Sequence, residues 1–529
     1  MIDVKGLLIV AYGEEFIRYV LNISDSEDLD EFPVNKPEEV INLLVQFALQ
    51  SAQTGYVDVN LMASAQLATY LPEHEMSLVV YYRKLCGGVI DEKPSADDDP
   101  VFSALNLIAR DIWPLYLISP PRGRRGIGFF AANSSVIFRH PELNGLSQAF
   151  MDDSSLSKLF PDGASDRVAP EPMMESAEWV MTSGHSGTRQ LLGVLTQLLY
   201  DARLRVMLEG KRLTLDDLSR ALKVSLDVLR RLADGQTVEV PAVIGFSGIK
   251  LLEGQSIEFT DGTLRSVRPD EMDHLLSGSG NAGAVYETTY PLRLLHASRG
   301  DLSASDWHKP FQKYRARIDE AIRSFEYSLE KVRLSLLLCS DGSNLIAPKE
   351  ESRLLFDPTT LGGIAQWSVS EHIPSNTEIA DGKSDEVVEM YDLIRKKHSE
   401  SLNIAMKRLL SAASSRRDSN DALIDALIAW ENMFGTRSET TFRVTASLAK
   451  ILEGEADARR DLQRELNKLY AVRSSMVHGA KEPGPEAAAA NRDRVIRVAI
   501  DGLRCLYRER PDLLAMPSEE RSKAVLLEG

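Results

Sequence analysis

Arg473 and His478, in the C-terminal part of the chain, are residues whose types and spacing suit the cleavage of RNA without a metal ion. Such a reaction needs a base that takes the proton of the 2′-hydroxyl, an acid that protonates the leaving 5′-oxygen, and a fixed cation beside the charged phosphorane. Histidine exchanges a proton in either direction near neutral pH, and arginine offers phosphate a permanently charged fork of N–H donors. The pair is therefore a candidate for acid–base chemistry on a phosphodiester.

The positions of the two residues on a helix limit how they can act together. Five residues on a helix of 3.6 residues per turn separate Arg473 from His478 by about 140°, so an undisturbed helix would not place them on one face. Gly479 follows directly and predicts that the helix ends at His478, which frees the orientation of the histidine. A two-fold dimer could then bring two arginines and two histidines into one cleft.

The chain around this pair is predicted to be helical almost throughout. Asn420 is expected to cap a helix that ends at Gly435. The next helix, from about Thr440 to Gly454, is expected to bury Phe442, Val444, Leu448 and Leu452. Together with their neighbours these segments make five predicted helices, at roughly 387–412, 420–434, 440–454, 459–478 and 486–508.

The run Leu469-Tyr-x-x-Arg-Ser-x-x-Val-His-Gly479 resembles the Apea-like branch of the HEPN superfamily (higher-eukaryote and prokaryote nucleotide-binding domain). That family carries an arginine and, a few residues later, a histidine on the fourth helix of a helical bundle. Many members are metal-independent RNases whose active site forms across a homodimer. The resemblance covers about 110 to 140 residues and implies catalytic roles for Arg473 and His478, with Ser474 as the polar neighbour and Glu431 and Asn432 as an acidic and polar pair facing the site.

The sequence departs from the family pattern at one position, and the family also allows a function other than RNA cleavage. Members that are paired with nucleotidyltransferase antitoxins often carry a modified tyrosine two residues after the histidine, but Ala480 stands here, which puts that form of control in doubt. HEPN domains also occur as inactive dimerisation or nucleotide-binding modules. On residues alone, Arg473 could be a surface charge and His478 a helix cap favoured by the helix dipole.

The fold class expected for the whole chain is multidomain and predominantly α. The C-terminal HEPN-type bundle is preceded by a mixed α/β domain and by helical N-terminal regions. The segment from Asp152 to Pro172, rich in Ser, Asp, Pro and Gly, is predicted to be a linker. The predicted domains are a mixed, mainly helical unit at 1–150, a helical segment at 173–236, the mixed α/β domain at 237–385 and the bundle at 386–529.

The stretch from Leu213 to Gly235 is predicted to form two short helices, with Thr214 and Ser225 as their N-caps. It resembles the helix-turn-helix of phage-repressor-type DNA-binding domains. Asp227 has the wrong charge for a helix that faces phosphate, although Arg230 and Arg231 follow it. A helical hairpin packed inside a larger domain is the competing interpretation. In either case the two helices are expected to share a core of Leu218, Leu222, Val224, Leu229 and Leu232.

Composition limits the partners. The net charge of −17 argues against broad coating of nucleic acid, but residues 395–510 carry 22 Lys and Arg against 16 Asp and Glu. RNA is therefore expected at the C-terminal bundle, with DNA a less favoured ligand. The sequence has no membrane span or secretory signal, so we expect a cytoplasmic protein. Three distant cysteines and scattered histidines predict neither a metal site nor a cofactor.

Two functions follow as expectations. The first is an endoribonuclease, dimeric through the bundle, in toxin action or antiviral defence. The other is a non-catalytic HEPN dimer that binds a nucleotide or a protein.

Overall fold

The structure is a computed structural model and is mostly helical, with smaller sheets in the middle of the chain. None of the helices within the described part has the length and apolar character that a membrane crossing requires. Buried apolar side chains from Leu8 to Val525 form one continuous cluster, so the successive segments pack against one another. The structure describes residues 3–27, 36–53, 64–94, 97–119, 137, 139–161, 174–268, 271, 281–297, 308–341, 345–359, 364–367, 374–477 and 482–528.

The N-terminal region is mainly helical, as the sequence predicts, with one short hairpin. Asp99 caps one of its helices by accepting from the backbone N–H groups of Val101 and Phe102 (both 3.1 Å), and Pro100 occupies the first helical position. The elements are α1 (Val4–Tyr12), α2 (Glu14–Val20), α3 (Glu38–Gln53), β1 (Tyr70–Leu71), β2 (Met76–Ser77), α4 (Leu78–Leu85), α5 (Pro100–Ile112), a 3₁₀ helix (Trp113–Leu117) and α6 (Leu143–Asp152).

The predicted linker at 152–172 is wrong in its first part. Residues Leu156–Leu159 form a 3₁₀ helix, and both leucines are fully buried. The indole N–H of Trp179 donates to the carbonyl of Leu159 (3.0 Å), so this segment is part of the core. The two leucines pack into the core, and this burial decides the structure of the segment in spite of the surrounding Ser and Asp residues. Residues 162–172 lie outside the described part.

The predicted helix pair at 213–235 is also wrong, because the structure has one continuous helix, α8 (Leu215–Ala233). Thr214 caps it as predicted, since its side chain accepts from the N–H of Asp217 (3.1 Å). Ser225, the second predicted cap, lies buried in mid-helix and donates to Asp201 (2.6 Å) and to the carbonyl of Ala221 (3.1 Å). Val224 is 48% exposed and does not join the core.

Arg230, which the DNA-binding interpretation would place on phosphate, is used inside the protein. Its guanidinium donates to both carboxylate oxygens of Asp99 (2.6 and 2.9 Å) and to Asp153 (2.9 Å). Burial alone would raise the pKa of Asp99, but the hydrogen bonds from Arg230 and from the helix N-terminus lower it. The residue therefore joins α8 to the N-terminal region, and the helix-turn-helix prediction is not supported.

Replacing Arg230 by Met is expected to lower the free energy of unfolding by about 2 kcal/mol at neutral pH, because partly buried carboxylates lose charged donors. A carboxylate with a lowered folded pKa stabilises above its unfolded pKa and loses that effect as the pH falls, so the difference should shrink below about pH 4. Urea titrations from pH 7 to pH 3 measure the free energy of unfolding of the wild type and the variant. Arg231→Met is the control, since Arg231 is exposed and lies 3.9 Å from Asp227; equal losses would contradict the prediction.

The described middle of the chain contains three sheets, the smallest being a parallel pair of strands at 249–250 and 377–378, and one of the three crosses the predicted boundary at 236/237. The strands β3 (Ser176–Met181) and β4 (Ser186–Gln190) form a hairpin, so the segment 173–236 is not wholly helical. Strand β10 (Leu294–Ala297), from the predicted α/β domain, pairs antiparallel with β3. The helix α7 (Leu191–Leu208) follows the hairpin and packs against α8. These two predicted units therefore share one sheet.

The larger sheet has six strands and lies against a long helix. Its order is β12–β11–β5–β9–β8–β7, and all neighbouring strands are antiparallel. The strands β7 and β8 form a hairpin at one edge of this sheet, and the long helix is α9 (His308–Leu338). The other elements are β5 (Val238–Ser247), β6 (Ile249–Lys250), β7 (Ser256–Phe259), β8 (Gly262–Arg265), β9 (Ala284–Leu292), β11 (Lys349–Leu355), β12 (Ile364–Trp367) and β13 (Thr377–Glu378).

The C-terminal part is a bundle of helices that differs from the prediction at several points. The first predicted helix is divided in two, since residues 398–402 interrupt it, and a final helix at 518–528 was not predicted. Phe442 is 56% exposed rather than buried. The helices are α10 (Ser384–Lys397), α11 (Asn403–Ser414), α12 (Ser419–Phe434), α13 (Thr440–Leu452), α14 (Ala456–Val477), α15 (Pro485–Arg508) and α16 (Ser518–Glu528).

Candidate active site

The candidate site lies where α12 and α14 meet. Helix α12 begins at Ser419 because the carboxylate of Asp418 accepts from the N–H groups of Asn420 (2.8 Å) and Asp421 (3.0 Å), so the cap lies two residues before the predicted Asn420. Near its other end, the buried Trp430 donates its indole N–H to the carbonyl of Val495 on α15 (3.1 Å). This contact fixes the rotation of α12 and hence the position of the next residue, Glu431.

Glu431, Tyr470 and Arg473 form one hydrogen-bonded group. Arg473 Nη1 donates to Glu431 Oε1 (2.7 Å), and the Tyr470 hydroxyl donates to the same oxygen. The guanidinium carbon of Arg473 lies 5.7 Å from the centre of the Tyr470 ring. A spacing of three residues places Tyr470 and Arg473 on the same side of α14. The structure therefore brings the predicted Arg473 and Glu431 together.

The hydrogen bonding of Arg473 is incomplete within the described part of the chain. Its Nε atom is buried and has no acceptor among the described residues. The side chains of Arg473 and Glu431 are each 26% exposed, so the group lies at the edge of the bundle and not in its core. A buried N–H without an acceptor costs free energy, and an incoming anion would remove that cost.

Tyr470 keeps its proton in this environment. Burial raises the pKa of its hydroxyl well above the ordinary value, and the hydrogen bond and negative charge of Glu431 raise it further. The hydroxyl consequently remains a donor to Glu431 across the neutral pH range. Tyr470 is not among the predicted site residues, and its three-residue spacing from Arg473 is the signal that could have identified it as a partner.

The remaining predicted site residues have different positions. Ser474 is on α14 directly after Arg473, and its side chain is exposed. Asn432 follows Glu431 in sequence, but its side-chain oxygen accepts from the backbone N–H of Ala405 (2.9 Å) at the start of α11. His478 and the predicted helix end at Gly479 lie outside the described residues.

Asn432 is therefore expected to affect stability and not catalysis. Asn432→Ala should lower the free energy of unfolding by about 1 kcal/mol, because the N–H of Ala405 loses its acceptor. If the site cuts RNA, as the resemblance of the motif implies, the same substitution should leave cleavage unchanged. Chemical denaturation and a cleavage assay on the same preparation measure both. Asn432→Asp retains an acceptor and serves as the control; a large loss of cleavage in Asn432→Ala with unchanged stability would place Asn432 in the active site.

The described residues contain no group of three or more His, Cys, Asp or Glu side chains arranged to hold a metal ion. No family model, curated protein or solved structure matches this chain. The candidate site is thus defined by its own geometry and by the motif.

Proposed function

We propose that this chain is a metal-independent endoribonuclease of the HEPN type. His478 acts as general acid and base, and Arg473 binds the scissile phosphate. The 2′-oxygen attacks phosphorus as its proton passes to a base, the bond from phosphorus to the 5′-oxygen breaks, and that oxygen receives a proton. The products are a 2′,3′-cyclic phosphate and a 5′-hydroxyl end.

The observation that carries the proposal is the state of Arg473. One N–H of its guanidinium is bound to Glu431, which limits the rotation of a long side chain. Its Nε has no acceptor among the described residues. An arginine that is oriented by a carboxylate and still partly exposed suits phosphate, because the fork geometry of its guanidinium favours two parallel bonds.

Glu431 and Tyr470 have positioning roles in this proposal. The carboxylate of Glu431 orients Arg473, and the Tyr470 hydroxyl orients the carboxylate through a bond to the same oxygen. A homodimer through the bundle would bring a second copy of the motif to the site, next to the exposed Ser474. In a toxin or an antiviral defence protein, the acidic N-terminal parts would sense a signal or restrain the nuclease.

The second candidate is a HEPN dimer without catalytic activity that binds a nucleotide or a protein. It is favoured by the ion pair itself, since Glu431 already neutralises Arg473 within one chain. An ion pair that is only a surface contact contributes little stability, about 0–1 kcal/mol. Under this alternative His478 has no chemical role.

The experiment that separates the two candidates is incubation of purified protein with cellular RNA in the presence of EDTA. The wild type is expected to cut RNA and leave 2′,3′-cyclic phosphate ends, and His478→Ala is expected to be slower by about 10²- to 10⁴-fold, the usual contribution of a general acid or base. End mapping of the fragments identifies the chemistry. Equal cleavage by the two proteins, or cleavage that EDTA abolishes, would contradict the nuclease proposal.

A further inference from the structure

A cavity of about 320 Å³ lies in the N-terminal part of the protein, away from the bundle residues described above. It is enclosed by helices α2 and α4, the 3₁₀ helix Trp113–Leu117, and the segment that leads into α8. Its volume is at the lower end of the range for small-molecule sites, which run from about 300 to 1,000 Å³. The side chains that matter for its chemistry are Tyr19, Arg83, Asp91, Trp113, Arg212 and Leu213.

Arg83 is held rigidly at the wall of this cavity. Its Nη1 donates to the carbonyl of Tyr19 (2.5 Å) and its Nε to the carbonyl of Val89 (2.7 Å), while the guanidinium lies 4.1 Å from the centre of the Tyr19 ring. The loop can close around Arg83 because residue 88 is glycine; a Cβ there would lie 2.6 Å from Arg83 Cγ. These two bonds use Nε and Nη1 and leave the Nη2 group for another acceptor.

The Tyr19 hydroxyl is the second unused polar group at the cavity. It is buried and has no hydrogen-bond partner among the described residues. Burial raises its pKa far above the ordinary value, and the nearby charge of Asp91 raises it further, so the hydroxyl keeps its proton. An isolated buried hydroxyl is costly, and a polar atom of a ligand bound beside Tyr19 would give it a partner.

The charges at the cavity favour an anion over a cation. Asp91 already accepts from the indole N–H of Trp113 (2.9 Å), and the face of the Tyr19 ring, where a cation would bind, is occupied by Arg83. Arg212 adds a second positive charge, although Glu15 (3.0 Å) and Asp25 (2.6 Å) share it. Trp113, Leu117 and Leu213 supply the apolar part of the lining, and the Trp113 ring lies 4.7 Å from the Tyr19 ring, centre to centre.

We propose that this cavity binds a small organic anion with a flat, largely apolar body. The anionic group would contact Arg83 Nη2 and the Tyr19 hydroxyl, and the body would lie against Trp113 and Leu213. A carboxylate and a phosphate monoester are both compatible with these donors. The inference does not depend on RNA cleavage, since none of its residues belongs to the bundle.

The test is ligand-induced thermal stabilisation of the full chain with two anions and their uncharged counterparts. Indole-3-acetate represents a carboxylate and adenosine 5′-monophosphate a phosphate; indole-3-acetamide and adenosine have the same flat bodies without the charge. At least one anion is expected to raise the Tm in a saturable manner, and its uncharged counterpart is not. Stabilisation by neither anion, or equal stabilisation by an anion and its counterpart, would overturn the proposal.

Tyr19→Phe is the decisive variant because it removes one hydroxyl and keeps the ring under Arg83. It should weaken binding of the stabilising anion by about tenfold, the loss expected for one hydrogen bond to a charged group, without lowering the Tm of the free protein. Tyr81→Phe is the matched control, since Tyr81 stacks on His74 (4.1 Å) and does not line the cavity. Unchanged affinity in Tyr19→Phe, or an equal loss in Tyr81→Phe, would overturn the assignment of the Tyr19 hydroxyl.

Discussion

Arg473→Ala is expected to reduce the rate of RNA cleavage by about 10²- to 10³-fold, the effect typical of removing one preorganised donor from a developing negative charge. The variant should fold normally, because the Arg473 side chain is partly exposed and its ion pair with Glu431 contributes little stability. Single-turnover cleavage of a defined RNA, with circular dichroism of the same samples, measures both quantities.

Two further substitutions make this result specific. Arg473→Lys keeps the positive charge but lacks the planar fork, so it should recover only a small part of the activity. Arg464→Ala is the matched control on the same helix, because Arg464 is exposed and pairs only with Asp461 (2.6 Å) within the described chain. If Arg464→Ala lost as much activity as Arg473→Ala, nonspecific attraction of RNA to α14 would explain both results and the active-site role would be rejected.

Arg521→Met should produce the largest loss of stability, about 3–5 kcal/mol, because several buried carbonyl groups would lose a charged donor at once. Arg521 is completely buried, and burial lowers its pKa to about 10, so it remains charged at neutral pH. Its guanidinium donates to the carbonyls of Leu513 (2.9 Å), Met433 (2.7 Å) and Met516 (2.6 Å). It thereby joins α16 to the end of α12.

Thermal and chemical denaturation measure the effect of Arg521→Met, and Arg508→Met provides the control. Arg508 is an exposed arginine of the same bundle that pairs with Glu386 (2.9 Å), and its loss should cost less than about 1 kcal/mol. Similar stabilities of the two variants would show that water replaces the Arg521 donors easily. The proximity of Arg521 to α12 also predicts that the destabilised protein loses the orientation of Glu431.

The positions of most helices in the bundle could be predicted from the sequence because local chemistry sets their ends. Gly435 ends α12 where expected, and the apolar period of α14 and α15 matches the buried faces found in the structure. Thr214 caps α8 for the same reason, since a side-chain oxygen next to a free N–H acts over only a few residues. These features depend on contacts between residues that are close in sequence, so the sequence alone is enough to predict them.

The errors occurred where a local signal competed with packing. Ser225 has the residue type of an N-cap, but its hydroxyl donates to the buried Asp201, and the helix continues past Ser225. Leu156 and Leu159 lay in a polar stretch that suggested a linker, yet a buried face was available to them. Phe442 has the spacing of a core residue, but it lies in the first turn of α13, where the neighbouring helices leave it exposed.

The sequence by itself determined the types of residue available for chemistry, the spacing of Arg473 from His478, and the helices that carry Glu431 and Arg473. Only the tertiary structure decided which side chains meet. Packing of α12 against α15 directs Glu431 to Arg473 and Tyr470, while the next residue, Asn432, contacts α11. Adjacent residues on a helix point about 100° apart, so the rotation imposed by neighbouring helices determines which of them enters the site.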